Sequence, residues 1–213
     1  MPILRSDILS AFSFNLLHEG GIPKDHASIV TEHLINSNLK GHDSHGVARI
    51  PDYVDKMKNT PYIRWENHKV VRDTPIIAII DGGGCNGIVA STLAVDIAIA
   101  KASVSTVGIV GLHNTTHIGR LGDFPVRIAK QGMIGMVLTN VGGVFLAPFG
   151  SADRRMPPNP IAMAAPRRNG PPLMLDMTLS AVAGGKVGQK KARGETIPEG
   201  WLIDHAGQYV TDP

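Results

Sequence analysis

The segment Gly41-His42-Asp43-Ser44-His45-Gly46-Val47-Ala48-Arg49 gathers groups that can move a proton and hold an anion. Asp43 and Ser44 are good residues to open a helix, and Val47, Ile50, Tyr53, Val54 and Met57 follow at helical spacing. On such a helix His45 and Arg49 lie one turn apart on the same face. The imidazole could exchange a proton near neutral pH, and the guanidinium could grip a carboxylate at two points beside a helix end that favours anions. Pro51 complicates the pattern, because the helix must kink there or begin only at that residue. A polar turn with idle histidines fits these residues equally.

A second candidate is Asn114-Thr115-Thr116-His117-Ile118-Gly119-Arg120-Leu121-Gly122, where a strand ends and a helix begins. Open α/β sheets place ligands at such junctions, and His117 could serve a carbonyl–alcohol interconversion. The plainer alternative is a histidine that caps a helix under a loop. His42 with His45, and His113 with His117, raise the question of a metal, but no carboxylate stands at a metal-ligand offset. No metal is expected. Gly82-Gly83-Gly84-Cys85-Asn86-Gly87 fits the G-x-G-x-x-G phosphate loop in form. The following strand then ends in His113-Asn114, without the acidic residue that grips a ribose, so the match reads against a Rossmann domain. Three further strand-end segments could cradle a ligand or simply turn the chain: Thr139-Asn140-Val141-Gly142-Gly143, Pro158-Asn159-Pro160 and Leu175-Asp176-Met177-Thr178.

The elements that must position these residues change in texture along the chain. Ser6 is expected to cap a helix carrying Ile8, Leu9, Phe12, Leu16 and Leu17, and Gly20-Gly21 to close it. Pro23 and Asp25 introduce a second helix, with Ala27, Val30, Leu34 and Ile35 on one face. Thr60-Pro61 marks a break. Beyond it, strands are expected at residues 70–71, 76–80, 107–112, 134–139 and 161–165, with helices at 88–103 and 121–131. The strand at 76–80 is apolar enough to be covered on both faces. Residues 186–193 read as a solvated basic surface, and 197–213 as a short hairpin around Asp204 to Gly207.

The composition is that of a globular chain: 213 residues, 43% hydrophobic, with 24 Gly and 15 Pro and few aromatics. A net charge of +3 and a basic run without interleaved aromatics offer no nucleic-acid platform. One cysteine, Cys85, suits a reducing compartment, and the N-terminus has no apolar run suited to a signal or a membrane span. A cytoplasmic protein is expected, without nucleic-acid or membrane partners.

Taken in order along the chain, these motifs resemble the malate/L-lactate dehydrogenase family, whose nicotinamide-binding fold is not a Rossmann fold. The matching residues are Gly41 to Val47 with Arg49, Thr116-His117-Ile118-Gly119-Arg120, and Ala147-Pro148-Phe149-Gly150. They continue with Asn159-Pro160, Leu175-Asp176-Met177, Gly185-Lys186-Val187, Ile197-Pro198-Glu199-Gly200-Trp201 and Thr211-Asp212-Pro213. The resemblance implies an α/β fold with a small N-terminal helical part of a substrate and dimerisation domain (residues 1–66). A mixed-sheet NAD(P)-binding domain (residues 67–213) follows, truncated at its C-terminus. It implies a homodimer that transfers hydride between NAD or NADP and C2 of a 2-hydroxy or 2-oxo acid. His45 and His117 would be the acid/base candidates, and Arg49 would orient the substrate carboxylate. Asn140, Val141, Asn159, Asp176, Met177 and Thr178 would contact the dinucleotide. Pro157-Pro158 and Val141 depart from the family pattern, and the resemblance implies a lysine-bearing segment beyond Pro213. The alternative is a family remnant without catalysis that binds or oligomerises.

Overall fold

The computed structural model describes residues 3–59 and 67–213. The break at Thr60-Pro61 and the expected boundary at 66/67 lie outside the described residues. Helix α1 (Ser6–Glu19) and helix α2 (Lys24–Leu39) pack against each other, and helix α3 (Ile50–Asn59) lies on α1. Between α2 and α3 the chain makes two short 3-10 turns, Asp43–His45 and Val47–Arg49. The regular helix therefore starts at Ile50, with Pro51 in its first turn where a missing N–H costs nothing. Asp43 and Ser44 do not cap it, and Ser6 is the first residue of α1 rather than its cap.

Leu17, Ile22, Ala27, Val30, Leu34, Ile50 and Tyr53 form the first core, closed by Ile88 and Val89 from the start of helix α4 (Gly87–Ser105). Ile8, Phe12 and Leu16 of α1 do not join it. They stay exposed because α1 turns its Ser13 and Leu17 face inward.

Strands β1 (Lys69–Asp73), β2 (Ile77–Asp81) and β3 (Ile109–His113) form one sheet in that order. β1 and β2 are antiparallel, while β2 and β3 are parallel and joined through α4. Burial along β2 alternates. Ala78 and Ile80 are fully buried, but Ile77 and Ile79 are only half-buried, so one face is covered completely and the other in part. A second sheet is wholly antiparallel: β4 (Gly135–Leu138), β5 (Ile161–Ala165) and β6 (Leu173–Met177). Its core side packs Ala162 against Leu121, Phe124 and Val95 with helix α5 (Asp123–Ala129). The basic run at 186–193 lies in a helix, α6 (Gly184–Ala192), and the chain closes with the hairpin of β7 (Leu202–Ile203) and β8 (Tyr209–Val210).

By length and composition α4 alone among the described residues could cross a membrane. It serves instead as the central core helix, with its first turns in one core and Val95 in the other. The glycine loop before it is filled by protein. A Cβ on Gly82 would fall 2.3 Å from Thr115 Cγ2, one on Gly83 2.3 Å from the Asn67 carbonyl oxygen, and one on Gly87 2.3 Å from the Thr116 carbonyl oxygen. Asn86, itself buried, accepts from the N–H groups of Ile88 and Val89 at the helix start. These glycines admit neighbouring backbone, and the amides a pyrophosphate would need are already satisfied.

Candidate active site

The segment that carries His45 is shaped by Asn38 of α2. Its Nδ2 donates to Asp43 at 2.6 Å, and its Oδ1 accepts the Val47 N–H at 2.8 Å. Gly46 passes so close that a Cβ would sit 2.1 Å from Asn38 Oδ1. This clamp fixes the two 3-10 turns and with them His45 and Arg49. Arg49 Nε donates to the Ser44 carbonyl oxygen at 2.8 Å, and among the described residues no carboxylate pairs with its guanidinium. Both residues line one open cleft of about 2640 Å³.

His117, 72 residues further along the chain than His45, lines the same cleft. The two ring centroids are 5.5 Å apart. The loop that brings His117 there is pinned from below. The buried His33 ring accepts the Arg120 N–H at Nε2 (2.9 Å), and Asp176 Oδ2 accepts the Gly122 N–H (2.8 Å). The Arg120 guanidinium, 2% exposed, is bonded to Asp123 and lies 3.6 Å from Asp176. A buried arginine between two carboxylates thus ties α2, α5 and β6 around the histidine loop.

Hydroxyls meet both imidazoles. Ser44 Oγ is 2.9 Å from His45 Nδ1, and the Tyr53 hydroxyl is 2.8 Å from His117 Nδ1. Burial depresses both rings to about 4, with Arg49 and His42 adding to the effect on His45, and His45 and Arg49 on His117. Burial likewise pushes the Tyr53 phenol up. At neutral pH the site therefore holds two uncharged imidazoles beside the Arg49 cation. Two such rings can hydrogen-bond one oxygen and exchange its proton, while the guanidinium holds a carboxylate.

Of the residues expected around a dinucleotide, Asn140, Val141, Asp176, Met177 and Thr178 line this cleft. Asn159 does not; its Oδ1 accepts the Val141 N–H at 3.1 Å, so it stands behind Val141. Asp176 is engaged with Gly122 and Arg120, and the Thr178 hydroxyl donates to the Pro158 carbonyl oxygen. Sequence spacing alone assigns no role to Tyr53, Arg120 or His33, nor to Gly185 as a neighbour of Arg49. The spacing of 45, 49 and 53 already put Tyr53 on the His45 and Arg49 side of a helix, but an aromatic at that spacing reads as core. No group of three or more His, Cys, Asp or Glu suited to a metal is found among the described residues.

Comparison with known proteins gives the same answer for sequence and structure. The malate/L-lactate dehydrogenase family matches residues 4–213. A malate dehydrogenase of Pyrococcus abyssi is 38% identical over 207 residues, covering 97% of this chain and 57% of that protein. The sulfolactate dehydrogenase structure from Methanocaldococcus jannaschii superimposes with a TM-score of 0.87 at 33% identity, over 100% of this chain and 61% of the other. The malate dehydrogenase structure from Entamoeba histolytica does so with a TM-score of 0.92 at 28% identity, over 100% and 59%. The chain thus spans about 60% of the length of these relatives. With the family match spanning nearly the whole chain and the fold in agreement, the chain belongs to the malate/L-lactate dehydrogenase family.

Proposed function

We propose that this chain carries the acid-binding and proton-transfer side of a dehydrogenase acting between C2 of a 2-hydroxy acid and NAD or NADP. The observation that carries the reading is the meeting of His45, His117 and Arg49 in one cleft, from segments far apart in the chain. Arg49 holds the substrate carboxylate with the terminal nitrogens that Ser44 leaves free. This orients C2 and its oxygen toward the imidazoles. In the oxidation direction one imidazole takes the hydroxyl proton at Nε2 while the other hydrogen-bonds the same oxygen. The arriving carboxylate also offsets the depression of the ring pKa values, since an anion favours the imidazolium.

The cleft suits a dinucleotide. The Asn140 side-chain amide has no protein partner among the described residues, Gly142 has open space around it, and Arg154 and Lys186 add cations at the wall. Asn140, Val141, Met177 and Thr178 would hold the cofactor, which when bound supplies the hydride acceptor. We further propose a homodimer in the cytoplasm. The exposed Ile8, Phe12 and Leu16 of α1 and the buried reduced Cys85 support that setting.

The test mixes the protein with NADH or NADPH and a panel of 2-oxo acids, following absorbance of the reduced nicotinamide. Consumption that disappears in His45→Asn, His117→Asn and Arg49→Ala supports the reading. Tight dinucleotide binding without turnover on any 2-oxo acid overturns it.

A further inference from the structure

Tyr53 belongs to the first core, yet its one polar atom leaves that core and meets His117. The ring is 5% exposed, its hydroxyl lies 2.8 Å from His117 Nδ1, and the two ring centroids are 6.1 Å apart. The Gly119 N–H approaches the same nitrogen at 3.4 Å. Nδ1 is thus occupied from two sides, while Nε2 has no protein partner among the described residues. We propose that Tyr53 is a positioning residue for His117: its hydroxyl occupies Nδ1, fixes the ring plane, and leaves Nε2 as the nitrogen that serves the substrate oxygen. The purpose of this arrangement rests on the dehydrogenase reading above, but the hydrogen bond itself does not.

The chemical type of the partner matters. A carboxylate at Nδ1 could only accept, and its charge would hold the ring as an imidazolium. A phenol can instead donate: with the Gly119 N–H also aimed at Nδ1, the Tyr53 O–H keeps that nitrogen bare and the neutral ring's proton on Nε2, facing the substrate oxygen. Burial keeps the phenol un-ionised, which removes the option of a charged partner. The titratable groups around the ring are His45, Arg49, Lys56 and Asp52. Among them only Asp52 favours the charged ring. Ser44 stands in the same relation to His45 Nδ1, at 2.9 Å, but from the adjacent residue. Tyr53 reaches its histidine from another element, so α3 and the His117 loop are coupled through this contact.

Tyr53→Phe keeps the ring and removes only the oxygen. Nitrogen-15 NMR of the histidine rings, with the His117 signals assigned by their loss in His117→Gln, reads the tautomer directly. The wild type is expected to show one dominant His117 tautomer, and Tyr53→Phe a mixture with a displaced titration. In kinetics kcat should fall roughly tenfold or more while KM for the 2-oxo acid stays within about twofold, as for a weakened proton transfer rather than weakened binding. Identical His117 signals in wild type and variant overturn the proposal. Should Tyr53→Phe not fold, the wild type still decides, because a His117 ring averaging equally between tautomers is incompatible with an Nδ1 that accepts from both the Tyr53 hydroxyl and the Gly119 N–H. Absence of turnover in the wild type counts against the dehydrogenase reading alone, while the NMR comparison judges Tyr53 separately.

Discussion

The His117 loop shows how single residues set a site by close approach. Gly119 takes φ +73°, and a Cβ there would stand 2.2 Å from His33 Nε2, the atom that accepts the Arg120 N–H. That acceptance leaves the His33 proton on Nδ1, 3.6 Å from Asp123 Oδ2. Burial depresses His33 to about 4, so at neutral pH it contributes an N–H rather than a charge, and the charged partners of Asp123 are Arg120 and Lys40. Gly119→Ala should force a left-handed conformation on a residue with a side chain, at about 1–2 kcal/mol. It should also break a buried hydrogen bond worth about 1–3 kcal/mol once its partners are stranded. A lower urea midpoint, corresponding to a loss of at least about 2 kcal/mol of stability, is expected. An unchanged midpoint would mean that the loop is not held from beneath in this way.

At the scale of elements, the helices and strands that bury a face were legible, while α6, which lies against the site, was not. Ala27, Val30, Leu34 and Ile35 announced α2, and the apolar run at 76–80 announced β2. α6 stayed hidden because Gly184, Gly185 and Gly188 are weak helix formers and the helix buries none of its residues. What fixes it is a long-range contact: a Cβ on Gly185 would meet Ser44 Cβ at 3.0 Å and Arg49 Nη2 at 3.4 Å. The glycine loop has the spacing of a phosphate cradle, which the missing acidic residue already argued against, and its space is taken by residues 114–117 and Asn67. The histidines were legible as chemistry, but their meeting across 72 residues depends on the fold alone. Gly185→Ala separates the two roles of α6. Alanine is the better helix former by roughly 0.5–1 kcal/mol, so thermal stability should hold or rise slightly. The added methyl presses on Ser44 and Arg49, so affinity for an unreactive 2-oxo acid analogue such as oxamate should fall severalfold by calorimetry. Unchanged affinity would detach α6 from the acid site.

Over the whole molecule, α4 links the two cores, with Ile88 and Val89 in one and Val95 in the other, so loss of either should propagate to both. The same linkage makes stability answer to the buried imidazoles together. His33, His45 and His117 are each depressed from 6.5 to about 4 in the folded chain. Above about pH 6.5 they are neutral in both states and contribute no pH dependence. Between 6.5 and 4 the unfolded chain binds protons that the folded chain does not, so stability falls as pH falls. Each ring adds up to about 1.4 kcal/mol per pH unit across that window, ahead of the pH at which most carboxylates begin to protonate. The melting temperature should therefore drop steadily from pH 7 to pH 5 in a single transition. His33→Gln, which offers an amide where the ring now accepts the Arg120 N–H, should flatten that slope by about one third if the three rings contribute alike. A melting temperature level across pH 5–7 would require these histidines to titrate equally in folded and unfolded chains, and hence to lie in contact with water rather than within the walls of the cleft.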